Sequence, residues 1–275
     1  MEVTNYRPHL LLQDYVLSIS TIKASLPEGT DNVITPYPPT PFQSMMFYCN
    51  NPISMGRADG GNFLKQPHTV LIGPQFSRVN IKVHRKLNVV RVDFLPGGMY
   101  RMLGVPMVEL FDGGFDALDF FGSKMRSIND QLQNTSNLKE GKEIVEKFLL
   151  SQVSKLKELL PVDSALRMLF KNQGDMLISE TASYSCLSIK QFERRCKERI
   201  GMNPKTFARI LKFSKAYRLH ESAPQLTWTQ IAYEAKYHDQ MHMIRDFKTF
   251  AGVNPSIIEQ QLQATPLRMQ KDLRS

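Results

Sequence analysis

The sequence predicts an α+β chain in two parts: a β-rich, barrel-like N-terminal domain with trailing helices, then an all-α C-terminal domain. Three observations carry this. Short apolar runs bounded by Pro, Gly and Asn fill the chain up to Leu95. After Pro96-Gly97-Gly98 the apolar spacing becomes helical. Beyond Pro161 there is almost no strand pattern, and one helical unit occurs twice. The expected divisions are residues 1–160, 161–265 and a flexible tail at 266–275.

Strands are expected at Asp14–Ser20, Ser44–Cys49, Val79–His84 and Asn88–Leu95, runs rich in Val, Ile, Tyr, Phe and Met. In Val79–His84 the apolar Val79, Ile81 and Val83 alternate with Asn80, Lys82 and His84, the mark of a strand with one wet face. No long helix separates these runs, so an antiparallel barrel or sandwich fits better than a parallel sheet. Helices follow at Met99–Leu103, Met107–Phe111 and Ser123–Leu132, and a longer one at Leu138–Leu160. Its Ile144, Val145, Phe148, Leu149, Val153 and Leu156 recur at helical spacing. This stripe packs on its own domain or meets a second copy. Pro161 stops the run, because proline pushes the preceding residue out of helical geometry.

The chain of 275 residues carries 42% hydrophobic and 22% charged residues, a globular composition that leaves ample core material. Its formal charge of +9 is uneven: 17 basic against 15 acidic residues through Pro161, then 18 against 11. The C-terminal part therefore makes most of the field that attracts a polyanion. No apolar run approaches the ~20 residues of a bilayer span, and no signal-peptide pattern opens the chain. Three scattered cysteines, Cys49, Cys186 and Cys196, make no disulfide framework. A cytoplasmic protein is expected, with no membrane partner.

The repeat has an offset of 50–51 residues. Thr181-Ala182 matches Ile231-Ala232, Ser188 matches Asp239, Arg194 matches Arg245, and Lys197 matches Lys248. Gly201-Met202-Asn203-Pro204 matches Gly252-Val253-Asn254-Pro255. Each copy reads as helix, turn, helix: Leu177–Ser185 and Thr227–Ala235 are the short helices. Ser188 and Asp239 have N-cap chemistry for the longer helices that follow. Ile189, Phe192, Cys196 and Ile200 are expected as the buried stripe of the first, and Met243, Phe247 and Phe250 as that of the second. Gly201 and Gly252 stand where a helix C-cap needs positive φ. Lys205–Glu221 is the expected connecting helix.

The opposite faces present Lys190, Gln191, Arg194, Arg195 and Lys197, then Gln240, His242, Arg245 and Lys248. A helix with an apolar back and such a front suits a DNA major groove ~12 Å wide. Arginine can pair bidentately with guanine and glutamine with adenine, while lysines neutralise phosphates. These nine residues are the candidate DNA contacts.

At these residues the sequence resembles the AraC/XylS family of bacterial transcription regulators, over roughly Asp163–Gln263. The stretch Tyr237-His238-Asp239-Gln240-Met241-His242-Met243-Ile244-Arg245-Asp246-Phe247 and the closing Phe247-Lys248…Gly252-Val253-Asn254-Pro255 carry the resemblance. It implies a seven-helix module, a double helix-turn-helix, that binds two adjacent major grooves. Its base readers would come from Lys190, Glu193 and Arg194, and from Gln240, Met241 and Arg245. The family commonly has glycine in each helix–helix turn, where this chain has Cys186 and Lys236. The resemblance also implies an N-terminal sensor or dimerisation domain. The expected partners are double-stranded DNA, RNA polymerase, a small-molecule effector and a second copy of the chain.

The rival is a DNA-binding module fused to an enzymatic or metal-binding barrel. His9, His68 and His84 invite a metal reading for a cupin-like barrel, but they lack a His-x-His pair with a downstream carboxylate. Nothing around the three cysteines resembles an alkyl-transfer motif. No catalytic residue, cofactor or metal is therefore expected. The only tryptophan, Trp228, is expected to pack near the start of its helix rather than to meet a base.

Overall fold

A computed structural model describes the chain except residues 59, 264, 266 and 271–275. Among the described residues ten strands form two antiparallel sheets. They are β1 (Glu2–Tyr6), β2 (Val16–Ser25), β3 (Asn32–Tyr37), β4 (Ser44–Tyr48), β5 (Ser54–Arg57), β6 (Leu64–Lys65), β7 (Thr69–Ile72), β8 (Val79–His84), β9 (Lys86–Phe94) and β10 (Gly114–Asp116). The larger sheet has the order β1-β2-β9-β4-β7-β10 and the smaller β3-β8-β5-β6. Among the described residues the two do not close into one hydrogen-bonded barrel; the β8–β9 hairpin links two stacked layers.

The period-2 geometry of a strand explains why β4 is buried along its whole length. Met45 and Phe47 face a helical layer, in one cluster with Val90, Val92, Met125, Leu132, Val145 and Phe148. Met46 and Tyr48 face the other sheet, in a second cluster with Ile22, Ile81, Val83 and Val89. The helical layer consists of α1 (Gly98–Leu103), α2 (Leu118–Phe121), α3 (Ser123–Gln133) and α4 (Leu138–Leu150). The stripe of α4 is used within its own domain, against β9 and β2, so it is not the surface on which a twin would dock.

The helix expected to run to Leu160 stops at Leu150. Ser151 and Gln152 bond back to the Phe148 carbonyl, and the chain then leaves helical geometry. Lys157 instead pairs with α1, its N–H donating to the Arg101 carbonyl while Arg101 Nε donates to the Lys157 carbonyl. Met107–Leu110 forms a 3-10 turn rather than an α-helix. Pro36 lies inside β3, which is tolerated because β3 is an edge strand.

The C-terminal domain consists of α5 (Pro161–Lys171), α6 (Ile178–Tyr184), α7 (Ile189–Ile200), α8 (Pro204–Ser222), α9 (Trp228–Glu234), α10 (Gln240–Phe250) and α11 (Pro255–Gln263). Their core includes Leu166, Phe192, Phe207, Phe213, Phe247 and Phe250. It also takes in Phe42 from the N-terminal domain, edge-on to Phe170 at 5.8 Å, and Phe76, edge-on to Phe250 at 5.3 Å. The two domains therefore share apolar packing. The tail expected to be flexible departs from that reading where it is described: Leu267 and Gln270 are buried, because the segment lies against the N-terminal sheets rather than in water.

Candidate nucleic-acid interface

The two units α6–α7 and α9–α10 repeat in detail. Residues 181–190 and 231–240 have the same burial pattern, position by position. Both turns use one left-handed residue, Cys186 at φ 56° and Lys236 at φ 62°, at the places where the family commonly has glycine. Both close with matching backbone bonds: Leu187 N–H to Ala182 at 3.2 Å, and Tyr237 N–H to Ala232 at 3.0 Å. That 6→1 contact caps the short helix and sets the angle at which the long one leaves.

The predicted caps are present. Ser188 Oγ accepts from Gln191 N–H at 3.3 Å, and Gln191 Oε1 accepts in return from Ser188 N–H at 3.1 Å. Asp239 Oδ1 accepts from His242 N–H at 2.8 Å. That bond, with contacts from the His238 and His242 rings, holds the Asp239 carboxyl well below the usual carboxylate range. Phe192, Cys196 and Ile200 are buried as expected, and so are Met243, Phe247 and Phe250. Ile189, the first residue of α7, is not: it is 51% exposed.

The candidate contacts divide by what their side chains already hold. Among the described residues, Lys190, Arg194, Lys197, Arg245 and Lys248 are exposed with no polar side-chain partner. Gln191 is engaged in its capping box. Arg195 pairs with Glu198 at 2.9 Å, Gln240 accepts from Thr229 Oγ1 at 3.0 Å, and the His242 ring lies 2.8 Å from Asp239. Glu193 and Met241 are exposed on the same two faces. Trp228 faces away from them, stacked on His220 at 4.3 Å and edge-on to Phe247.

Further basic residues come from outside the two long helices. Lys205, Arg209 and Lys212, spaced four and three apart on one face of α8, join Lys236, His238, His242 and Arg245 around a cleft of about 540 Å³. Asp246 is the one acid lining it, and Arg209 and Tyr237 engage its two oxygens. The spacing of Lys205, Arg209 and Lys212 was legible in the sequence, but their convergence with the second unit needs the fold.

His238, Asp239 and His242 place three metal-type ligand atoms within 4.8 Å of one another. The Asp239 carboxylate is already committed to the helix cap and to both rings, and the surrounding charge is basic, so the set fits anions better than a cation. His9 and His84 have separate local partners, Leu11 N–H and Ser54 Oγ. Burial pushes the Cys49 thiol up to about 11 and that of Cys196 higher still, so neither is a ready nucleophile.

The C-terminal half of α7 is docked on the N-terminal domain. Arg199 is buried, pairs with the fully buried Asp163 at 3.4 Å and lies over the Tyr100 ring at 4.2 Å. The Tyr100 hydroxyl donates to Glu198 at 2.8 Å. The N-terminal half, with Lys190 and Arg194, is left facing solvent.

A family model described as a helix-turn-helix domain matches residues 181–261, a stretch that takes in both units from Thr181 to Gln261. The C-terminal part of the chain is an AraC-type helix-turn-helix domain. The chain thus pairs a DNA-binding domain of transcription regulators with a sheet-rich N-terminal domain. A second model, a domain of unknown function, matches residues 4–116. No curated protein matches the chain significantly. Among solved structures, ToxT from Vibrio cholerae O395 is similar at 12% identity, covering 90% of this chain and 97% of that one, with a TM-score of 0.46. ToxT from Vibrio cholerae strain SCE256 with bound unsaturated fatty acid gives 12% identity, 88% and 99% coverage and 0.44. The AraC-like transcriptional activator CuxR gives 11%, 75% and 77%, and 0.26. No helix among the described residues is long and apolar enough to cross a membrane.

Proposed function

We propose that this protein is a sequence-specific transcription regulator that reads two successive major grooves of duplex DNA, one with α7 and one with α10. The observation that carries the reading is the equivalence of Arg194 and Arg245. Each is exposed, unpartnered and opposite the buried stripe of its helix, and the two stand at matching positions of a duplicated unit. Guanidinium groups so placed are free to pair with base edges. Lys190, Lys197 and Lys248, with the basic cleft at α8, would neutralise phosphates. Glu198 and Arg199 of α7 hold Tyr100, which gives the N-terminal domain a mechanical hold on the first unit. Through it an effector would alter DNA binding and so the recruitment of RNA polymerase. The N-terminal domain would also bring two copies together on paired sites, using a face other than the α4 stripe.

Salt titration of binding to a selected duplex tests the two-groove part. Neutralising ~6–8 phosphates gives a log–log slope near −5 to −7. A slope shallower than about −2 is incompatible with two grooves engaged at once.

A further inference from the structure

Between the two sheets lies a cavity of about 70 Å³. Its walls are mostly apolar, with Ile22, Tyr48, Ile81 and Val89 among them. Two charged side chains line it: Asp112, exposed, whose Oδ1 accepts from the Phe76 and Ser77 N–H groups, and Arg91, which is neutralised in place. Its Nε donates to Asp93 at 2.7 Å and its Nη1 to the Tyr37 hydroxyl at 2.9 Å. An anionic guest would meet no free cation, and the acid stands at the exposed side, so the buried part of the cavity suits an uncharged guest.

Part of the wall comes from the far end of the chain. Met269 lines the cavity, and Leu267 belongs to the apolar cluster between the sheets. The next residue, Gln270, ties two elements together. Its side-chain amide donates to the Pro38 carbonyl at 2.7 Å, and its backbone N–H donates to the Glu221 carboxylate, in the last turn of α8, at 3.0 Å. Leu267–Gln270 therefore spans the cavity and the helix that connects the two helix-turn-helix units. Its seat is imperfect, since the Gln270 side-chain carbonyl is buried without a partner.

We propose that Leu267–Gln270 is a displaceable strap over a binding site for a small, uncharged, mostly apolar molecule, and that the guest and Met269 compete for the same space. An apolar cavity of about 150 Å³ accepts benzene. The present one is about half that size, so a benzene-sized guest needs space that the Met269 side chain fills. Occupancy thus requires Met269 to leave, which releases Gln270 from Glu221 and changes the contacts of α8. This inference deepens the effector part of the reading above and rests on it.

The test uses the full chain with benzene as the probe, in wild type, Met269→Ala and Met269→Trp. Calorimetry should show weak binding to wild type, binding at least about fivefold tighter to Met269→Ala and none to Met269→Trp, because the guest's apolar contact tracks the space that Met269 vacates. Trypsin cleavage after Arg268, mapped by mass, should accelerate severalfold when benzene saturates the wild type. It should not change in Met269→Ala, where the guest fits with the strap in place. General damage to the fold would weaken binding in both variants, so the opposite signs are diagnostic. Equal affinity in all three proteins, or binding to wild type without faster cleavage, overturns the proposal. Mobility shifts of the same proteins without benzene report separately on DNA binding, so a failure of the regulator reading appears there.

Discussion

Arg209 of α8 grips Asp246 of α10 through Nε at 2.9 Å and Nη2 at 2.7 Å on one carboxylate oxygen, while the Tyr237 hydroxyl donates to the other at 3.0 Å. Asp246 is buried and Arg209 is 41% exposed. The pair fixes the pitch of α10 on the connecting helix and leaves the adjacent Arg245 free. Asp246→Ala should lower the stability of the chain in urea by ~1–3 kcal/mol, since it removes two charge-assisted contacts and strands a phenol. Arg209→Ala in the same background should then cost little more. Full additivity of the two substitutions would show that the pair is not coupled.

The four left-handed positions of the repeat give a graded series. Gly252 has φ 72° with open space where a side chain would begin, so Gly252→Ala should cost only the ~1–2 kcal/mol of the backbone conformation. Gly201 has φ 74°, but a methyl group there would lie 2.5 Å from Pro74 and 2.9 Å from the Met107 carbonyl. Gly201→Ala should therefore cost more than Gly252→Ala and loosen α7 from the N-terminal domain. Conversely, Cys186→Gly and Lys236→Gly relieve left-handed strain and should each stabilise by roughly 0.5–1 kcal/mol after the entropy of glycine is counted. Equal melting shifts for the two alanine variants would contradict the docking of Gly201.

His220 supplies a pH dependence. Burial lowers its pKa; attraction from Glu259 opposes this and repulsion from Arg268 adds to it. The unfolded chain, with an ordinary histidine near 6.5, then binds the proton more readily than the folded one. The His220 contribution to stability is complete above about pH 6.5 and is lost as pH falls toward the depressed folded value. His220→Gln should flatten the stability profile in that window relative to wild type. An unchanged acid limb would show that other groups control it.

The architecture could be read from residues wherever periodicity survived. Val79–His84 alternates cleanly and is a strand at those bounds. The repeat announced itself because both copies keep the same helical spacing and C-cap glycines. Short strands were hidden: β6 has two residues and β10 begins with glycine, too little pattern for a period-2 signal. Pro36 disguised β3, because only its place at a sheet edge makes the proline harmless. At the interface, spacing put Gln191, Arg195, Gln240 and His242 on the right faces. It could not show that a cap or a neighbour occupies their side chains. Arg199 looked like one more basic residue of α7 and is instead buried against Asp163 and Tyr100. The strap at Leu267–Gln270 follows a polar stretch and gained its meaning only from the cavity beside it.

Selection of binding sites from a random duplex pool, with wild type, Arg194→Ala and Arg245→Ala, tests the two-groove reading most directly. A bidentate arginine–guanine pair contributes ~1–3 kcal/mol of discrimination, so Arg245→Ala should lose roughly 5- to 150-fold in affinity for the selected site and lose preference at one base pair. Arg194→Ala should do the same at a position ~10 bp away. Lys248→Ala, run alongside, should weaken all sequences alike and reduce the salt slope by about one. An unchanged motif for both arginine variants, in proteins that retain their wild-type melting temperature, would contradict the assignment of α7 and α10 as the reading helices.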